Sequence, residues 1–242
     1  MSTTTAATKR PPQTHSLYFP ASVAAAIIIA VGFGCSIFPN LLLRLRPAIL
    51  YLHALTAFAW ITLVPYQAWL IRQRKLALHR KIGPYGLALG AVASITAFFT
   101  SFILRHESVI RHGNDGRTDA RIAFLAIPLT SWAVFTILLA LAGFWRNRPG
   151  LHRRCIMLSW SALFGAAIAR IPVLGGIPFL ADFLTVALIA TLCVQEYRRE
   201  HRLHPVYVAG LPAALVALLA GDYLAFVHPA WWVSAARGMI GL

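Results

Sequence analysis

The chain is short of acids and of charge altogether. Seven Asp and Glu stand against 22 Lys and Arg, and charged residues of both signs make up only 12% of 242. A soluble domain of this length carries about 25% charged residues. The 59% hydrophobic content could be buried in water only by a core larger than the chain can build, so a bilayer is its natural solvent. Cysteine is scarce as well. Cys35, Cys155 and Cys193 lie far apart and form no CxxC, which excludes a disulfide framework and a zinc site built on thiolates. There is no HExxH, no Ser–His–Asp set, no P-loop and no GxGxxG. The net charge of +15 has no folded soluble domain to sit on, and nucleic-acid binding is set aside.

The sequence does hold long apolar runs. Residues 1–16 are polar, Thr-rich and carry Pro11-Pro12, and read as a disordered tail. The run from Leu17 to Phe38 is too long for a signal-peptide core and lacks an Ala-x-Ala exit, so it reads as a retained first span. Seven segments near the ~20 residues needed to cross the hydrocarbon fall at 17–38, 47–71, 82–104, 122–145, 155–174, 179–197 and 206–227. The expected fold is therefore all-α. A seven-helix transmembrane domain over 17–227 follows the tail, and residues 228–242, too short to span, lie along the outer surface.

Counting Lys and Arg orients the bundle. One set of helix ends holds 14 and the other 8, and Lys9, Lys75 and Lys81 all fall in the first. The positive-inside bias places the N-terminus and the basic connectors in the cytoplasm and the C-terminus outside, as in a bacterial inner-membrane protein. Three connectors share a pattern: Leu78-His79-Arg80, Leu151-His152-Arg153-Arg154 and Leu203-His204-Pro205. After one leading helix the chain thus repeats a hairpin three times in the same sense. The returning helices carry small residues four apart, at Gly86, Gly90 and Ser94, at Ser161, Gly165 and Ala169, and at Ala213, Ala217 and Gly221. Such residues let helix backbones approach closely in lipid.

Two groups of residues can carry chemistry. At the connectors, His79, Arg80, His152, Arg153 and Arg154 suit anionic groups, whether lipid headgroups, a phosphate or a haem propionate. Toward the outer ends of the spans stand His53, His106, Glu107, Arg170, Asp182, Asp222 and His228. His53 lies about six residues, roughly 9 Å, below the outer end of span two. An acid or His in hydrocarbon faces the bundle interior with a partner. Arg170 and Asp182 are placed to pair across the Pro172–Pro178 turn, while His53 with His106 or His228 offers a weak metal or haem-iron pair. Gln67, seven residues after Trp60, faces the same interior.

Leu52-His53-Ala54, Trp60, Gln67 and Leu78-His79-Arg80-Lys81-Ile82-Gly83 resemble a signature of uncharacterised bacterial multi-pass membrane proteins. Arg148-Pro149-Gly150-Leu151-His152-Arg153-Arg154, Ala169-Arg170-Ile171-Pro172, Asp182 and His204-Pro205-Val206-Tyr207 extend the resemblance over about residues 47 to 210. It implies a membrane fold and no specific activity. The connectors more distantly resemble those of cytochrome b-type and oxidase-assembly membrane proteins, although paired mid-span histidines are lacking. Three functions are carried forward. One is a binding or assembly protein with an outer-half polar pocket on His53, Asp182 and Asp222. The second is a haem-b electron-transfer protein or reductase using His53 and His106. The third is a proton-coupled transporter in which Asp182 and Asp222 titrate. A ligand that reaches such sites is a small lipophile, a metal, a haem or a small ion.

Overall fold

The computed structural model describes residues 18–41, 46–113, 116–174 and 180–242, without the side chains of 37–41, 182 and 199. The tail 1–16 and much of the Pro172–Pro178 turn lie outside the described residues. The described chain is helical and contains no strand: α1 Tyr18–Leu41, α2 Ala48–Arg72, α3 Leu76–His112, α4 Thr118–Ala123, α5 Ala126–Phe144, α6 Pro149–Ser159, α7 Ser161–Ile168, α8 Leu180–Glu200, α9 Pro205–Val227 and α10 Ala230–Met239. Among the described residues, five stretches are long and apolar enough to cross a membrane, namely Tyr18–Ser36, Ala48–Arg72, Leu76–His112, Thr118–Phe144 and Pro205–Val227.

The three basic connectors are tighter than their charge runs suggest. Between α2 and α3 only Gln73, Arg74 and Lys75 leave the helices. Arg74 takes φ 58° while the Lys75 N–H reaches back to the Leu70 carbonyl at 2.9 Å, a Schellman stop that satisfies the end of α2. Leu76 through Lys81, which fall between spans two and three in the sequence reading, lie in the first two turns of α3. The second connector ends at Pro149 and the third at Pro205, each at the first helical position, where a missing N–H costs nothing. His204 caps α9, its Nδ1 accepting the Val206 N–H at 3.3 Å.

α5 is the central helix and packs against α3, α6, α7 and α9, while α2 lies between α1 and α3. The core centres on Trp60, whose ring meets Phe135 edge-on at 5.0 Å and Trp160 at 5.9 Å. Gly90 makes this possible, because a Cβ there would stand 2.6 Å from Trp60 Nε1 and 2.8 Å from Leu139 Cδ2. Two of the small-residue stripes are thus helix contacts. Ser94 Oγ meets Thr136 Oγ1 at 2.7 Å across α3 and α5, and Gly221 lets α9 rest on Thr130. The same device joins α1 to α7 at Gly32, a residue outside the three stripes.

The region expected to form span five differs from a single helix. It arrives as α6 and α7, meeting at Trp160, and neither is long enough to cross. Ser159 Oγ donates to the Ile156 carbonyl at 2.8 Å and Ser161 Oγ to Leu158 at 2.7 Å, and such back-bonding hydroxyls bend helices. The helix tightens there, with Trp160 N–H turning to Met157 O at 3.3 Å. α8, expected as span six, ends in Glu196, Arg198 and Glu200, and its main packing partner is α7. The terminal residues form a docked helix. Trp232 Nε1 donates to the Ala123 carbonyl at 2.9 Å, and Val233 and Ala236 join a second apolar cluster with Ile122 and Leu125.

Candidate functional site

His53 and His106, the expected metal pair, are tied to separate partners. His53 sits half-buried on α2, its Nδ1 3.2 Å from Thr96 Oγ1. That hydroxyl already donates to the Val92 carbonyl at 2.9 Å, so the imidazole Nδ1–H is the donor. His106 Nδ1 donates to the Ile240 carbonyl at 2.7 Å and anchors the end of α10. Thr96 and His106 are ten residues apart on α3, about 15 Å of helix rise. His53 and His106 therefore stand at two levels, whereas ligands to one metal ion approach it to about 2.0–2.1 Å. Among the described residues no group of three His, Cys, Asp or Glu is arranged to hold a metal ion. The haem and metal reading finds no support in this geometry.

The remaining outer residues take separate roles. Glu107 is paired with Arg46, and Arg111 lies one turn on at 3.7 Å. Arg170 stacks its guanidinium over the Phe33 ring at 4.7 Å and donates to the Ala166 carbonyl, which serves the end of α7. The expected Arg170–Asp182 pair cannot be followed, because the Asp182 side chain lies outside the described residues. Asp222 is half-buried on α9 beside Gly221. His228 is exposed and closes α9 in the left-handed conformation at φ 40°.

The connector end is organised differently, since all three Leu-His connectors gather there. Arg154 on α6 and Glu196 on α8 form a buried ion pair, their side chains 3% and 6% exposed. Arg154 Nε donates to both Glu196 oxygens, at 3.1 and 2.9 Å, while the NH2 nitrogen reaches Oε1 at 2.8 Å. Its NH1 group donates to the Gly150 carbonyl at 2.7 Å. Glu200 lies 3.4 Å from Arg154 and 3.7 Å from Arg153, and the Arg153 guanidinium covers the Tyr18 ring at 5.0 Å. The Tyr18 hydroxyl is 3.4 Å from that of buried Tyr207. Helices α1, α6, α8 and α9 thus meet through polar groups. Burial disfavours the Arg154 cation, but its hydrogen bonds to Glu196 and the charges of nearby Tyr18 and Glu200 outweigh it and hold its pKa above the ordinary Arg value. His204 is pushed below its ordinary value, first by burial and then by Arg154, against the opposing pull of Glu196 and Glu200.

The anionic-contact set drawn from the sequence divides in two. Arg153 and Arg154 are engaged by the chain's own acids. His79 and Arg80 are not: His79 comes within electrostatic reach of Arg80 and of His152 from the second connector, and its ring approaches the Gln67 carbonyl. His79 Nδ1 and both amide atoms of Gln67 are buried without a hydrogen-bond partner among the described residues. Glu196, Glu200 and Tyr18 were the members hardest to find. Their one sequence signal is that Glu196 and Glu200 are the only acids at an end otherwise crowded with arginine. No protein-family model, no curated protein and no solved structure matches the chain.

Proposed function

We propose that the protein is a multi-pass binding protein of the bacterial cytoplasmic membrane, whose polar working centre is at the connector end of the bundle. The observation that carries this reading is the buried Arg154–Glu196 pair. Two charges removed from water gain little net stability, and a well-packed apolar pair often does as well or better. Ionisable groups kept inside a membrane bundle mark ligand and ion pathways. The pair joins α8, an edge helix, to α6 on the central bundle, and so acts as an ionic lock on one wall. In this reading the outer residues His53, His106 and Arg170 serve the fold. The connector end faces the cytoplasm, and a reporter fused to the C-terminus is active outside.

Proton-coupled transport is the second reading, favoured by the same pair, because protonating Glu196 removes the attraction that holds α8. Cys193, half-buried one turn from Glu196, reports the lock. In Cys35→Ser/Cys155→Ala protein in phosphatidylcholine vesicles, a water-soluble maleimide labels Cys193 slowly, and Glu196→Gln raises that rate at least about tenfold. An unchanged rate in both Glu196→Gln and Arg154→Met removes the lock. A proton flux abolished by Glu196→Gln selects the transporter, and ligand retention without flux selects the binding protein.

A further inference from the structure

The second acid of the connector end is placed for a role of its own. Glu196 and Glu200 stand four residues apart on α8, so their side chains lie one turn apart on the same face. One guanidinium reaches both. Arg154 NH2 is 2.8 Å from Glu196 Oε1 and 3.4 Å from Glu200 Oε1, and that nitrogen carries two N–H bonds, one for each acid. The other edge of the group is pinned, since NH1 donates to the Gly150 carbonyl of its own helix at 2.7 Å. Arg154 therefore has two carboxylates within reach and a fixed point to turn about.

The surrounding charges decide where Arg154 goes when Glu196 is neutral. Two arginines then share one acid. Arg153 lies 3.7 Å from Glu200, but its side chain is 45% exposed, so water solvates it. Its guanidinium also stands over the Tyr18 ring, 5.0 Å from the ring centre, and keeps that contact without an acid. Arg154 is 3% exposed and has neither recourse. A buried cation loses far more than a hydrated one when its acid is removed. Glu200, already touching Arg154, is the acid that replaces Glu196 at least cost.

We propose that Glu200 is a second station for Arg154, taking its guanidinium when Glu196 loses its charge and keeping α8 tied to α6. The inner contact then opens while the end of α8 stays tethered. Loss of the Glu196 charge loosens the wall of the bundle without releasing it. The inference rests on the ionic lock of the proposed function and adds the residue that limits how far the lock opens. A Glu200 that merely packed against α6 would hold α8 equally well whatever the state of Glu196. A second station matters only once Glu196 has let go.

The test is maleimide labelling of Cys193 in full-length Cys35→Ser/Cys155→Ala protein in phosphatidylcholine vesicles. Glutamine keeps the shape of glutamate and removes its charge. Glu200→Gln alone raises the rate by no more than about twofold, as expected for a partly exposed pair. Added to Glu196→Gln, the same change raises it at least about fivefold further, because the two acids serve one guanidinium. Salt gives a second readout. The Glu200 contact is open to solvent and is screened, so going from about 0.05 to about 0.5 M NaCl speeds labelling of Glu196→Gln more than that of the parent or of Glu196→Gln/Glu200→Gln. Equal factors for Glu200→Gln with and without Glu196→Gln overturn the second station and leave the lock standing. A salt response of Glu196→Gln no larger than that of the double variant does the same. If Glu196→Gln leaves the rate unchanged and the double variant raises it, the lock on Glu196 falls and the station at Glu200 holds. An unchanged rate in the double variant overturns both.

Discussion

Removing one partner of the Arg154–Glu196 pair should do more harm than removing both. The closest approach is 2.8 Å, and both side chains are less than a tenth exposed. At about 3 Å and an effective dielectric constant near 20, the gross attraction is about 5–6 kcal/mol. Desolvating the two ions costs several kcal/mol each, so the net worth of the pair is close to zero. Arg154→Met leaves Glu196 charged, buried and without its guanidinium, which costs about 3–5 kcal/mol. Glu196→Gln is milder, because Arg154 keeps the Gly150 carbonyl and Glu200. Arg154→Met/Glu196→Leu should return to within about 1–2 kcal/mol of the wild type, or exceed it. In a chain of this size each kcal/mol moves the melting midpoint by about 2–4 °C. Arg154→Met therefore melts about 6–20 °C lower, and the double variant recovers most of that loss. The assay is tryptophan-fluorescence melting in one detergent at pH 7.5, read as a double-mutant cycle. A double variant as unstable as the sum of its single changes would refute the reasoning, since it would show that the two side chains act independently.

Two further outcomes follow from the packing and from the connectors. Gly32→Ala places a Cβ 2.1 Å from the Ala167 carbonyl oxygen, a backbone atom that cannot swing aside, and should cost at least about 1–3 kcal/mol by thermal melting. Gly83→Ala meets no atom within 4 Å beyond its chain neighbours, but it precedes Pro84 in the first turns of α3 and should change stability by less than about 1 kcal/mol, so equal effects from the two would discredit the α1–α7 contact. His204 has a folded pKa below its unfolded value, so the unfolded chain binds the extra proton first. Its contribution is complete above about pH 6.5 and is lost as pH falls from there toward the folded value. His204→Asn keeps an acceptor for the Val206 N–H and should flatten the acid-side slope of the melting midpoint. A slope identical to the wild type would assign that sensitivity elsewhere.

Much of the fold was legible because apolar length and small-residue spacing are local properties. Gly86, Gly90 and Ser94 could be read as a packing stripe from spacing alone, and Gly90 does admit Trp60. The break at Trp160 was not legible, since it rests on two serines bonding backward onto carbonyls, and Ser22 and Ser101 do the same in unbroken helices. The expected His53–His106 pair does not form for a different reason. Depth along a helix can be counted from sequence, but the side it faces toward a given neighbour cannot, and His53 and His106 face separate partners. Glu196 was passed over because its meaning depends on α8 bringing it to Arg154 of α6. Helix α7 packs against both α6 and α8.

The length of α3 has a mechanical consequence. Its 37 residues make a rod of about 55 Å, against a hydrocarbon core about 30 Å thick. One end carries His79 and Arg80, and the other carries Glu107 and the His106 contact that anchors α10. If the helix pivots as a rigid lever, a tilt of about 5° sweeps one tip by about 5 Å relative to the other. An event felt at the connector histidines would then be delivered, with no moving loop between, to the helical cap on the opposite side of the membrane.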